Sequence, residues 1–203
     1  MEREKAQVAF IHELGHHVSN KLNKTIFGYD RPTESITIYP SKYGDFFDGM
    51  TKSSNTTPNS YKAEYTPLEY LRAYYGCLFE SLFRSIDINE CLCSKITPSI
   101  ISSGLCKGRA DYYQMSHLAL RVEIKNKFLW WDFLTKNYFS LMKSKIKSFA
   151  EIFKLNFSDY ILQEVNYKYY INLDVLDMDI ENFLIIHKQD YIMAINELRK
   201  LNQ

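Results

Sequence analysis

No stretch of this chain stays apolar for long. Runs such as Phe128-Leu129-Trp130-Trp131 fall far below the roughly 20 residues needed to cross a bilayer, so no integral membrane segment is expected. No basic start followed by an apolar stretch reads as a signal peptide. Charge of one sign is lacking as well. Twenty-five basic and 24 acidic residues leave a net charge of +1, which excludes a general surface for nucleic acid or another polyanion. Cysteine is sparse, and Cys77, Cys91, Cys93 and Cys106 fit no zinc-finger spacing; Cys91-Leu92-Cys93 is a C-x-C and not a C-x-x-C. They read as reduced thiols in a cytoplasmic protein. There is no G-x-x-x-x-G-K-[ST] loop to hold a nucleotide and no internal repeat. At 203 residues the chain is one domain, or one with an extension, and is long enough to bury a proper core.

Against that background one pentapeptide stands out: His12-Glu13-Leu14-Gly15-His16. Residues four apart on an α-helix project from one face about one turn apart, so two imidazoles can grip one metal ion. Glu13, beside the first histidine, can reach a water in the metal's open position. The lead-in Glu2 to Ile11 is a good helix former with acids in its first turn. Val8, Ile11, Gly15 and Val18 or Ser19 fall near one apolar stripe, with charged residues on the other side. Gly15 costs about 1 kcal/mol of helix stability relative to alanine, so another segment is expected to pack closely on the backbone there.

Downstream, Glu34 to Pro40 alternates with period two and reads as a strand. Ser41-Lys42-Tyr43-Gly44 supplies a turn, and Asp45 to Met50 a returning partner. Thr51 to Tyr61 is polar and reads as a mobile loop. Thr66-Pro67-Leu68-Glu69 has the form of a capping box and opens a long helix to about Arg84. Ser85 to Lys107 looks irregular. A third helix opens at Asp111 and runs to about Leu134. From Thr135 onward further helices are expected, among them Phe139 to Phe153, with Lys143, Lys145 and Lys147 as a solvated basic side, and Asp190 to Leu201.

Two histidines leave a catalytic zinc one protein ligand short. The metzincin continuation requires glycine and histidine where Ser19 and Leu22 stand, which excludes that class. His17 points about 100° away from His16 and is a poor third ligand. A distant carboxylate, His117 or His187 must supply it, and composition does not choose among them.

Four segments, in order, resemble the peptidase domain of the FtsH-type AAA zinc metalloproteases. The family's H-E-A-G-H helix corresponds to His12 through His16. Its strand x-[IV]-[IT]-I-x-P corresponds to Ser35-Ile36-Thr37-Ile38-Tyr39-Pro40. Its G-G-R-x-A-E-E helix end corresponds, in degraded form, to Tyr75-Gly76-Cys77-Leu78-Phe79-Glu80-Ser81. Its G-A-S-x-D segment corresponds to Lys107-Gly108-Arg109-Ala110-Asp111, with Leu118-Ala119 following in frame. The resemblance covers roughly residues 2 to 125. It implies a mainly α (α+β) fold: a helical zinc-peptidase core over 1–130 with a small β-element, and a helical extension over 131–203 that packs on or continues the core. It also implies Asp111 as the third zinc ligand, Glu80 beside the metal as a second-layer residue or the alternative ligand, and Glu13 as general base.

The family's ATPase and membrane parts have no counterpart here, and its P-R-G turn and G-G-R arginine are Pro40-Ser41-Lys42 and Cys77. The expected activity is therefore stand-alone, zinc-dependent cleavage of unfolded or extended polypeptide, held by an exposed edge of the strand around Ile36 to Tyr39. A second copy of the chain, or an ATPase in trans, is left open as a partner. The competing readings are a catalytically silent metal-binding interaction module and an ImmA/IrrE-like regulatory protease.

Overall fold

The computed structural model describes residues 2–43, 46–57, 62–92, 108–121 and 127–203. The fold is mainly α with a small antiparallel sheet. Its elements in order are α1 (Glu2–Phe27), β1 (Thr33–Pro40), β2 (Phe47–Ser53), a 3-10 turn at Ala63–Tyr65, α2 (Thr66–Arg84), α3 (Ile88–Cys91), α4 (Arg109–Arg121), α5 (Lys127–Asp132), a π-helical stretch Phe133–Tyr138, α6 (Phe139–Leu155), a 3-10 turn Phe157–Tyr160, β3 (Ile161–Val165), β4 (Lys168–Ile171) and α7 (Leu173–Leu201).

Two helices form the centre. From Ala9 to Asn20, α1 is buried on every side, and α2 is buried from Thr66 to Leu82. The single apolar stripe expected for α1 is thus incomplete: its polar side is interior too, and carries His12, Glu13, His16, His17, Ser19 and Asn20. α1 and α2 run antiparallel, since His12, His16 and Asn23 meet Glu80, Arg72 and Leu68 in descending order. Gly15 is where they come closest. A Cβ built there would overlap the Tyr75 carbonyl and lie 3.1 Å from the Gly76 Cα.

The sheet covers another side of α1. Its order is β2-β1-β4-β3, antiparallel throughout. Asn20 donates to the Thr33 and Ser53 hydroxyls, and the Thr51 hydroxyl donates to the Glu13 carbonyl, which ties the hairpin to the motif helix. β1 pairs with β2 on one side and with β4 on the other, through Thr37↔Tyr170 and Ile38↔Tyr169. The edge expected at Ile36 to Tyr39 is therefore occupied; among the described residues, the outer strands are β2 and β3.

Four further expectations need adjusting. The capping box does not form: Tyr65 is the N-cap of α2 without a side-chain bond, and Glu69 accepts from Tyr29, Arg31 and Arg72. Of the polar loop, Thr51–Ser53 belongs to β2, and Ser54 to Thr57 are anchored to Asp30, Pro32 and Tyr29; residues 58–61 lie outside the described residues, as do Gly44 of the expected turn and Asp45 of the expected returning strand. Of the expected third helix, Arg109–Arg121 and Lys127–Asp132 are α-helical and the stretch from Phe133 is π-helical, while residues 122–126 lie outside the described residues. The extension after 131 is not all helix, because it contains the β3–β4 hairpin, and α7 starts at Leu173, far before Asp190.

That extension shares the core of the rest. Phe149 stacks on Phe183 and packs at a tilt on Phe153, and Phe149 and Phe183 both meet Phe79 of α2 edge to face. Tyr138 meets Tyr75 through their hydroxyls at 2.7 Å, and Tyr191 bonds Ser19 and Asn23. Of the basic side of α6, Lys145 is paired with Asp190 at 2.7 Å and Lys147 donates to the Ser85 hydroxyl. No helix among the described residues is long and apolar enough to cross a membrane.

Candidate metal centre

Helix α1 presents His12 and His16 one turn apart, with their ring centroids 4.9 Å from each other. Facing them on α2 is Gly76, where a Cβ would come within 2.6 Å of His16 Nε2 and 2.7 Å of His12 Nε2. Only a residue without a side chain leaves room for both imidazoles. Asp111, in the first turn of α4, closes the third side. Its Oδ2 is 2.9 Å from His12 Nε2 and its Oδ1 3.3 Å from His16 Nε2. All three residues are buried.

The opposite ring nitrogens have separate partners. His16 Nδ1 lies 3.0 Å from the Arg72 carbonyl oxygen, and His12 Nδ1 3.0 Å from Glu80 Oε2. A carbonyl can only accept, so His16 carries its proton on Nδ1, and an ionised Glu80 requires the same of His12. In neutral rings, both Nε2 lone pairs then point at the Asp111 carboxylate, acceptor against acceptor. A cation among them, or a second proton on a ring, reconciles that geometry. This is the arrangement of metal-binding histidines, in which Nδ1 donates to a carboxylate or backbone carbonyl and Nε2 is left to coordinate.

Spacing also fits. Donors around a tetrahedral ion with bonds of roughly 2.1 Å are about 3.4 Å apart, and one donor atom from each of His12, His16 and Asp111 falls within 4.8 Å of the others. Electrostatics favour positive charge here. Burial alone would lower the His12 pKa, but Asp111, Cys91 and Glu80 hold it well above the usual value. Burial would raise the Asp111 carboxyl, but His16 and His12 hold it far below the ordinary carboxylate range.

Glu13 turns towards the sheet. Its carboxylate lies against Gly49 of β2, where a Cβ would be 2.6 Å from Oε1. The residue is 6% exposed, and among the described residues no hydrogen bond to its carboxylate is recorded. Glu80 lies behind His12 with its Oε1 held by Arg84 at 2.8 Å. The remaining histidines are elsewhere. His17 bonds Asp177 of α7 at 2.8 Å, His187 bonds Asp190, and His117 is on the exposed side of α4.

Two residues that spacing alone left outside any site are close by. Cys77 and Cys91 are buried thiols with sulfurs 2.9 Å apart, and Cys91 Sγ is 3.3 Å from Glu80 Oε2. Cys77 precedes Glu80 by three positions on α2, so its helix spacing was a usable signal. Cys91 sits in a short helix beyond the turn and gave none. Cys93 and Cys106 lie outside the described residues. No protein-family model, curated protein or solved structure matches this chain.

Proposed function

We propose that the chain is a zinc-dependent endopeptidase of the H-E-x-x-H type, related in its core to the FtsH-type peptidase domain, that cuts extended polypeptide. One observation carries the reading: His12 Nε2, His16 Nε2 and the Asp111 carboxylate converge while both Nδ1 atoms are engaged behind them. His12, His16 and Asp111 would hold the ion, which when bound supplies a Lewis acid that polarises the scissile carbonyl and acidifies a water. Glu80 and the Arg72 carbonyl keep the two imidazoles in the coordinating tautomer. Glu13 takes the proton of the attacking water and returns it to the leaving amine. The outer strand β2 carries Gly49 directly over Glu13, so an extended substrate laid along β2 would pass beside the base.

The test begins with metal analysis of protein purified without added zinc. Wild type should hold zinc stoichiometrically at this centre, and His16→Ala should lose it. Glu13→Gln should keep fold and metal while hydrolysis of a casein-like, unstructured protein falls by several orders of magnitude, because the carboxylate is a base and not a ligand. ATP should have no effect, and a stable compact domain should survive, since backbone pairing needs a free backbone. Equal cleavage by wild type and Glu13→Gln would remove Glu13 from the mechanism. Zinc bound with no cleavage by either would leave a silent metal-binding module.

A further inference from the structure

Cys77 near the middle of α2 and Cys91 at the end of α3 are both fully buried. Their sulfurs are 2.9 Å apart, and Cys91 Sγ is 3.3 Å from Glu80 Oε2, the same oxygen that faces His12 Nδ1 at 3.0 Å. One donor atom from each of His12, Cys77 and Cys91 falls within 4.8 Å of the other two. The start of α4 closes this cluster from the far side. Gly108 donates its N–H to the Cys91 carbonyl at 3.2 Å, and any side chain there would run into Cys77 Sγ. Two sulfurs, an imidazole and a carboxylate oxygen thus meet in the interior, beside the centre described above but on the opposite edge of the His12 ring. Thiolate with imidazole is a donor set preferred by soft and borderline cations such as Zn²⁺, Co²⁺ and Cd²⁺. Burial, with Cys91, Asp111 and Glu80 nearby, pushes the Cys77 thiol well above its ordinary pKa.

We propose that Cys77, Cys91 and His12, with Glu80 beside them, form a second metal site for a thiophilic divalent cation. The two sites share one imidazole: Nε2 serves the His16–Asp111 side and Nδ1 the cysteine side. On loading, each thiol and the His12 Nδ1–H that otherwise faces Glu80 give their protons to bulk water, which leaves the shared ring as a bridging imidazolate, so binding acidifies the solution. The site needs neither Glu13 nor hydrolysis, and it stands even if the neighbouring centre never turns over.

The probe is Co²⁺ added to the metal-free full chain, followed by absorption and proton release. Wild type should bind two equivalents, one of them with an intense sulfur-to-cobalt charge-transfer band and release of protons. His16→Ala should lose the other equivalent and keep the band, which separates this site from the proposed catalytic one. Cys77→Ser and Cys91→Ser should each lose the band and keep one equivalent. Absence of the band in wild type at saturating cobalt would overturn the proposal without any variant. Should the serine variants not fold, thiol labelling of wild type in mild urea decides instead. Cd²⁺ should protect Cys77 and Cys91 together, and protection confined to Cys93 and Cys106 would overturn it.

Discussion

At the scale of single residues, the centre rests on what each atom can donate or accept. Asp111 sets its carboxylate against both Nε2 atoms, whereas Glu80 reaches the centre only through His12 Nδ1. Asp111→Ala should therefore abolish tight zinc binding, while Glu80→Gln should weaken it by about 10–100-fold, the usual cost of losing a partner behind a ligand. Isothermal titration of both variants checks the order; the reverse order would transfer the ligand role to Glu80. Gly15 supplies a second prediction. An alanine there would gain about 1 kcal/mol of helix propensity. It would also press a methyl into the Tyr75 carbonyl, and overpacking against backbone costs up to about 3 kcal/mol. Gly15→Ala should thus lose about 2 kcal/mol in urea unfolding, and any gain in stability would refute the close approach. His12, Glu13, Gly15 and His16 were legible in the sequence because their spacing has a helical meaning. Asp111 and Glu80 were legible only through resemblance, since nothing local marks a carboxylate that another helix will meet. The Arg72 carbonyl could not have been read at all, because every residue has one.

Element by element, long segments with strong periodicity were readable and short ones were not. β1, α2 and α6 lie close to where alternation and helical spacing put them. The β3–β4 hairpin was missed because its two-residue turn is Asn166-Tyr167, both at positive φ (50° and 60°). Asn-Gly is the usual signal for such a turn, and tyrosine conceals it. At the start of α2 the misreading has an electrostatic cause. Glu69 is buried among Arg31, Arg72 and the Tyr29 hydroxyl, at 2.6, 3.1 and 2.7 Å, and these bonds displace the expected cap. Burial would raise its pKa, but Arg72, Arg31 and Tyr29 hold it below the ordinary 4.5. A carboxylate depressed in the folded state stabilises fully above its unfolded pKa, and that stability is lost as pH falls through the folded value. Glu69→Gln should cost about 3 kcal/mol at neutral pH, near the low end for a broken buried pair, because Arg31 keeps a quarter of its side-chain surface exposed. The gap to wild type in urea unfolding should narrow as pH drops from about 5 towards 3. A gap that does not change with pH would mean that Glu69 acts through packing alone.

For the whole molecule, the question is whether the residues carrying the centre hold together without the rest. The sequence divides at about 130 because resemblance stops there, which reflects where motifs end and not where the core ends. β4, from the later part, pairs with β1 at Thr37 and Ile38. Helix α7 clamps α1 through Asp177, which bonds His17 and Lys21, and through Tyr191, which bonds Ser19 and Asn23. Tyr138, Phe149, Phe153, Tyr160, Phe183 and Tyr191 are all buried, and each contributes about 1.5–3 kcal/mol by leaving water. Six such side chains together contribute roughly 9–18 kcal/mol, which matches or exceeds a domain's typical net stability of roughly 5–15 kcal/mol. Removing them would also open both faces of α1, including the helix turns that aim His12 and His16. Residues 1–130 expressed alone should therefore show no cooperative thermal transition, digest rapidly with protease and bind zinc far more weakly than the full chain. A sharp unfolding transition in that fragment, with zinc retained, would mean that α1, α2, α4 and the β1–β2 hairpin suffice by themselves. The aromatic cluster of Phe79, Phe149 and Phe183 argues that they do not, because the back of α2 is left without a cover once α6 and α7 are gone.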